Sequence, residues 1–174
     1  MPLLIATTNP DKFKEYRQLL RPWCLAMVSP GPAPKETGKT FKQNAIIKAR
    51  FYGQKYNLPV LADDSGLEIK ALRGFPGVRS ARFAGGNFPQ AIKKILARLN
   101  RDRRAKFICV IALYLPQTKT VKTFTGTVSG LIAIRPRGRG GFGYDPIFYL
   151  PKLKKTFGQL TRKEKALYSH RGRA

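Results

Sequence analysis

The sequence predicts an α/β fold, a mixed β-sheet flanked by helices, on three observations. An apolar run near the start, LLIA from Leu3, leads through TTNPDK into a helical stripe. Helical and strand-like patterns then alternate along the chain, as a sheet covered by helices requires. Beyond Phe107, strand patterns follow one another with no helix between them, which adds an antiparallel stretch.

Taken in order, LLIA reads as a buried strand, and Phe13, Tyr16, Leu19 and Leu20 fall on one face of the helix after it. The Pro/Gly-rich SPGPAPKETG from Ser29 is a loop. Thr40 and Gln43 have capping-box spacing, and Phe41, Ala45, Ala49, Tyr52 and Tyr56 supply the stripe of a long helix. PVLA is expected as a short buried strand, LEIKAL as its partner beyond a polar DDSG turn, and RGFPGVRS as a turn-rich segment. Pro89 starts another helix, with Ile92, Ile95, Leu96 and Leu99 inward. Three strands are expected around Phe107–Leu115, Thr120–Phe124 and Val128–Ile134, then a last helix from Thr161, capped by Glu164 and ending near Lys165–Arg171.

The length of 174 residues suits one folded unit over residues 1–174 and suffices to bury a core. The longest apolar run, FICVIALYL, falls far short of the ~20 residues a spanning helix needs, so no membrane association is expected. Cys24 and Cys109 sit within apolar runs and read as buried small hydrophobes in a reducing, cytoplasmic compartment. The net charge of +25 predicts attraction to polyanions and some nonspecific nucleic-acid binding.

Against 34 Lys plus Arg stand only 9 acids, yet VLADDSGLEI sets Asp63 beside Asp64. Adjacent carboxylates repel, and Lys, Arg or a divalent metal is the usual means of keeping both ionised. With a single His in the chain, His-rich zinc sites are excluded, and oxygen ligands point to Mg²⁺. TTNPDK turns from strand to helix, where free backbone N–H groups and Lys12 favour an anion. GGFGYDPIF combines glycines, aromatic rings and Asp145 in a way that suits a nucleobase, and KALYSHRG gathers donors at a helix end. Each stretch alone has a plain structural reading as a turn or a capped helix end.

Together with ETGKTFKQNAIIKAR and GFPGVRSARFAG, these stretches resemble in order and spacing the inosine triphosphate pyrophosphatase family, from Ala6 to Gly172. The resemblance implies an elongated mixed sheet in two lobes with a nucleotide cleft, a homodimer, and a cytoplasmic house-cleaning role. It implies Mg²⁺-dependent hydrolysis of ITP, dITP and XTP between the α and β phosphates, giving the monophosphate and pyrophosphate.

Carried over residue by residue, the resemblance makes Asp64 the general base, with Glu36 and Asp64 nearest the metal and Asp63 supporting. Thr7, Thr8, Asn9, Lys12 and Lys48 would hold the triphosphate, with Asn44 on the same helical face as Lys48. Ser65 and Lys165 belong to the phosphate or sugar site, and Phe142, Gly143, Tyr144, Asp145, His170 and Arg171 to the base pocket. Donors there would meet a purine 6-keto oxygen and disfavour the amino group of adenine. Gln43 departs from the family pattern, standing where glutamate is common beside the helix asparagine and removing a charge near the metal. Two alternatives stand beside this reading, a basic nucleic-acid-binding protein and a catalytically poor relative of the same fold.

Overall fold

The computed structural model describes residues 2–28 and 31–174. In chain order the elements are β1 (Leu3–Ile5), α1 (Pro10–Leu19), β2 (Leu25–Met27), α2 (Phe41–Tyr56), β3 (Val60–Ile69), α3 (Ser80–Ala84), α4 (Phe88–Ala97), β4 (Arg104–Leu115), β5 (Thr120–Ile132), β6 (Phe148–Leu150), β7 (Lys155–Thr156), α5 (Arg162–Tyr168) and α6 (His170–Arg173). The strands form one sheet in the order β2-β1-β3-β4-β5-β6-β7. It is mixed, as expected: β1 runs parallel to β2 and β3, whereas β5 and β6, and β6 and β7, are antiparallel.

The chain divides into two compact units. The first holds the described residues up to Asp64, with Cys109–Gly126 and Ala174. Ile5, Tyr16, Leu61, Cys109 and Ile111 form a buried cluster there, against which Phe13 and Leu20 of the α1 segment pack. On α2 the expected stripe is buried at Phe41, Ala45, Ala49 and Tyr52, and the Thr40–Gln43 capping box is present. Because Gln43 Oε1 accepts from the backbone N–H groups of Lys39 and Thr40, its side chain closes the helix start. The residue that departs from the family pattern is therefore a cap, a use that needs an amide or carboxylate oxygen but no charge.

The second unit is Ser65–Ile108 with Thr127–Arg173. Ile69, Ile95, Phe107, Ile132, Ile147, Phe148 and Phe157 are buried together. Helix α4 begins as expected, Asn87 capping Gln90 N–H and a proline standing in its first turn. Thr161 and Glu164 make the expected capping box on α5, and Lys155 holds the Glu164 carboxylate at 2.8 Å.

Three expectations need correction. DDSG is no turn: β3 continues through it for ten residues, so LEIKAL begins as the second half of the same strand. The segment after Leu115 makes one strand of 13 residues where two were expected, since Gly126 is accommodated inside β5. Cys24 is exposed, and only Cys109 is buried. Helix α5 ends at Tyr168, inside the expected Lys165–Arg171 segment, and a separate turn of helix follows from His170 to Arg173. The Pro/Gly-rich segment has no regular structure from residue 31 to the cap of α2, while Ser29 and Pro30 lie outside the described residues. Among the described residues, no helix is long and apolar enough to cross a membrane.

Candidate active site

In the first unit, β3 brings two carboxylates against α1 and α2. Successive strand residues point to opposite faces, and the two accordingly meet different partners. Asp63, its side chain 1% exposed, pairs with Lys12 Nζ at 2.9 Å and has the Cys109 thiol 4.0 Å away. Asp64 accepts a hydrogen bond from Asn44 Nδ2 at 3.0 Å. The amide of Asn44, fully buried, is oriented by a second bond, because its Oδ1 receives the Gly38 N–H at 2.8 Å. One turn further along α2, Lys48 pairs with Glu36 at 2.8 Å. The shared helical face expected for Asn44 and Lys48 is thus used, and both side chains serve the carboxylates.

Electrostatics separate the members of this group. Burial pushes the Asp64 carboxyl above its ordinary value; Lys48 and the Asn44 hydrogen bond oppose the rise, Glu36 adds to it, and Lys12 opposes it. Burial acts against the Lys48 ammonium too, but the carboxylates of Asp63, Asp64 and Glu36 outweigh it and hold its pKa above the ordinary lysine value. Lys48 therefore stays cationic at neutral pH as the shared counter-ion of three acids. Among the described residues, no three His, Cys, Asp or Glu side chains are gathered closely enough to hold a metal by themselves.

The turn before α1 works differently from the sequence expectation. Asn9 Oδ1 accepts from the N–H groups of Asp11 and Lys12, and Thr7 Oγ1 accepts from Asn9 N–H. Three of the amides expected to be free for an anion, those of Asn9, Asp11 and Lys12, are capped from within, and the residue between Asn9 and Asp11 is a proline without an N–H. Thr8 is exposed at the turn, and the cationic part of any anion site here rests on Lys12.

In the second unit, Asp145 organises a compact cluster. It pairs with Lys165 and accepts the Phe142 N–H at 2.8 Å. Lys165 Nζ stands 4.7 Å and the Arg171 guanidinium 5.8 Å from the centre of the Phe142 ring. Arg171 Nη2 also donates to Ser65 Oγ at 3.0 Å. A Cβ at Gly141 would collide with the Asp145 carboxylate, and the φ of +70° there adds a second reason for glycine. Gly143 also has positive φ, at +67°. His170 is buried and stacked on Phe107, ring centres 4.6 Å apart. Tyr144 is turned into the core: its hydroxyl donates to the Ser80 carbonyl at 2.8 Å, and burial pushes its pKa up to about 12.

A model of the Ham1 family matches residues 3–174. The chain belongs to the Ham1 family. A dITP/XTP pyrophosphatase of Staphylococcus epidermidis is 45% identical over 99% of this chain and 91% of its own length. One from Thermus thermophilus is 43% identical, covering 100% of this chain and 88% of that one. Among solved structures, the Staphylococcus aureus Ham1 protein is similar with a TM-score of 0.89 at 42% identity, covering 100% of this chain and 94% of that one.

In this Ham1-family chain, the first group offers a buried carboxylate with a raised pKa beside fixed cations. Such a group can take a proton from water near neutral pH. The second offers an aromatic face edged by two cations and a carboxylate. Sequence reasoning missed the parts that orient these groups: Gly38, which contributes only a backbone N–H, Phe107 and Phe157 beneath His170, and Ser80 as the anchor of Tyr144. Phe107 stands in an apolar run that reads as core and nothing more. Gly38 carried a faint signal, as a glycine just ahead of a helix cap.

Proposed function

We propose that this chain hydrolyses non-standard purine nucleoside triphosphates, ITP, dITP and XTP, to the monophosphate and pyrophosphate. The observation that carries the reading is Asp64: buried, raised in pKa, and fixed by an asparagine that is itself held by Gly38. The names of the similar proteins agree with it.

Asp64 removes a proton from water as its oxygen forms a bond to the α-phosphorus. The bond from that phosphorus to the bridging oxygen breaks, and pyrophosphate leaves with the electron pair. Lys12 and Lys48 hold the phosphates and balance their charge, and the Thr7–Asn9 turn contributes the hydroxyls of Thr7 and Thr8 and the side-chain N–H groups of Asn9. Asp63 acts through Lys12, whose ammonium it fixes.

The donor set fits Mg²⁺, a hard cation that binds through one or two carboxylates and takes its other ligands from substrate phosphates and water. Glu36 and Asp64 would hold it, with Asp63 behind them, tied to Lys12. When bound, Mg²⁺ supplies neutralisation of the charge that develops on the leaving pyrophosphate.

In the second unit, Phe142 provides a stacking face for the purine, while His170 and Arg171 supply donors for a 6-keto oxygen and Ser65 and Lys165 serve the sugar or phosphate. Adenine would set its amino donor against those donors, at a cost of about 1–3 kcal/mol for each buried group left unpaired. The test is pyrophosphate release from ITP, XTP, dITP, GTP and ATP with Mg²⁺ and with EDTA. Metal-dependent release from ITP and XTP but little from ATP is expected; equal turnover of ATP would remove the base-recognition assignment.

A further inference from the structure

Outside the residues used above, the first unit carries a cavity of about 340 Å³ lined by Phe13, Arg17, Arg21, Pro22, Trp23 and Leu25. Its make-up is unusual in three respects. Trp23, the only tryptophan of the chain, is 68% exposed, an unfavourable place for a large aromatic ring. The floor is apolar, with Phe13 and Leu25 packed on the unit's core. The rim carries two exposed arginines, one from α1 and one just beyond it, and no acidic residue is among the described residues that line the cavity.

We infer that this cavity binds single-stranded nucleic acid, a base stacking on the Trp23 indole and the flanking phosphates meeting Arg17 and Arg21. An exposed flat ring beside guanidinium groups is the combination that sequence-tolerant single-strand binding uses: stacking for the base and cations for the backbone. The occupant is a polyanion because the rim presents two guanidinium groups and the whole chain carries +25, which draws nucleic acid towards it. A strand fits better than a duplex, since only an unpaired base can present its face to an indole. None of the three residues belongs to the proposed hydrolytic site, so the two activities are separable.

Because Trp23 is the sole tryptophan, its fluorescence reports on this site alone. Titration of the protein with a thymidine oligonucleotide is expected to quench that fluorescence saturably. Arg17→Gln with Arg21→Gln should weaken binding and lower the slope of log affinity against log salt by about 1.4, at about 0.7 per phosphate contact on a single strand. Trp23→Ala, read by anisotropy of a labelled oligonucleotide, should lose affinity on the order of tenfold. Pyrophosphate release from ITP by both variants should match the parent and shows that they are folded. Oligonucleotide binding that leaves Trp23 fluorescence unchanged would place the strand elsewhere on the basic surface and overturn the proposal. So would an unaltered salt slope in the double arginine variant, equal quenching by thymidine monophosphate at the same affinity, or equal quenching by polyglutamate.

Discussion

Asn44 donates its side-chain amide to Asp64 across 3.0 Å while its carbonyl oxygen receives the Gly38 N–H at 2.8 Å. The two bonds leave the amide one orientation and fix the carboxylate it serves. The hydrogen bond lowers the pKa of Asp64 against the larger effect of burial, which raises it.

Asn44→Ala should therefore lower pyrophosphate release and move the acid limb of the pH–rate profile upward, because the residue that stabilises the ionised carboxylate is gone. It also leaves the Gly38 N–H without its acceptor, at a cost of about 1–3 kcal/mol in stability. Denaturant unfolding and the pH profile measure the two effects separately; a profile that stays in place would detach Asn44 from Asp64 function.

Asp64→Asn should abolish most turnover without destabilising the fold at neutral pH. The sign follows from linkage: a carboxyl whose folded pKa lies above its unfolded value contributes stability below the unfolded pKa and loses it as pH rises through the folded one. Removing the ionisable group should leave the melting temperature at pH 7 equal to or above that of the parent, with the difference fading towards pH 3. A large loss of Tm at pH 7 would contradict this.

Lys12 and Asp63 form a part-buried pair, with side chains 19% and 1% exposed. Breaking such a pair from one side costs about 3–5 kcal/mol when the partner stays buried, and less where a lysine stem can carry its charge to water. Lys12→Met should accordingly be more destabilising than Asp63→Asn, and the double variant less so than the two together. Additive losses in a double-mutant cycle would show that the pair is not coupled.

How much of this was legible in the sequence depends on what each residue does. Helix starts were legible because capping is local: Thr40 with Gln43 and Thr161 with Glu164 are visible at fixed spacing. β3 was not, since Asp63, Asp64, Ser65 and Gly66 have turn composition, and what lets two carboxylates lie in a buried strand is Lys12, 51 residues away, and Asn44. The three-residue β6 and two-residue β7 are too short to carry a periodicity. The motif residues of the site were legible as a set, yet their division of labour was not. Nothing in ADDSG distinguishes Asp63, tied to a lysine, from Asp64, tied to an asparagine. GYDP likewise gives no sign that Tyr144 turns into the core while Asp145 faces Lys165.

Tyr144→Phe checks that last distinction. Loss of the hydrogen bond to the Ser80 carbonyl should cost about 0.5–1.5 kcal/mol in stability, with the preference for ITP over ATP unchanged. A changed preference would give Tyr144 a place in base recognition after all.

Gly141→Ala should act on the base side. The added methyl collides with the Asp145 carboxylate and the backbone there has positive φ, so the Asp145–Lys165 pair must shift. KM for ITP should rise several-fold, while the first unit's group, and with it the acid limb of the pH profile, stays as in the parent.

The most direct test of the account is the rate of pyrophosphate release from ITP by the parent and by Asp64→Asn, with circular dichroism and melting curves on both. Rapid Mg²⁺-dependent release by the parent, and loss of about 10²-fold or more in a variant that melts no lower, is the result predicted for a general base. Equal release by the two folded proteins would contradict the assignment of Asp64 and, with it, the proposed mechanism.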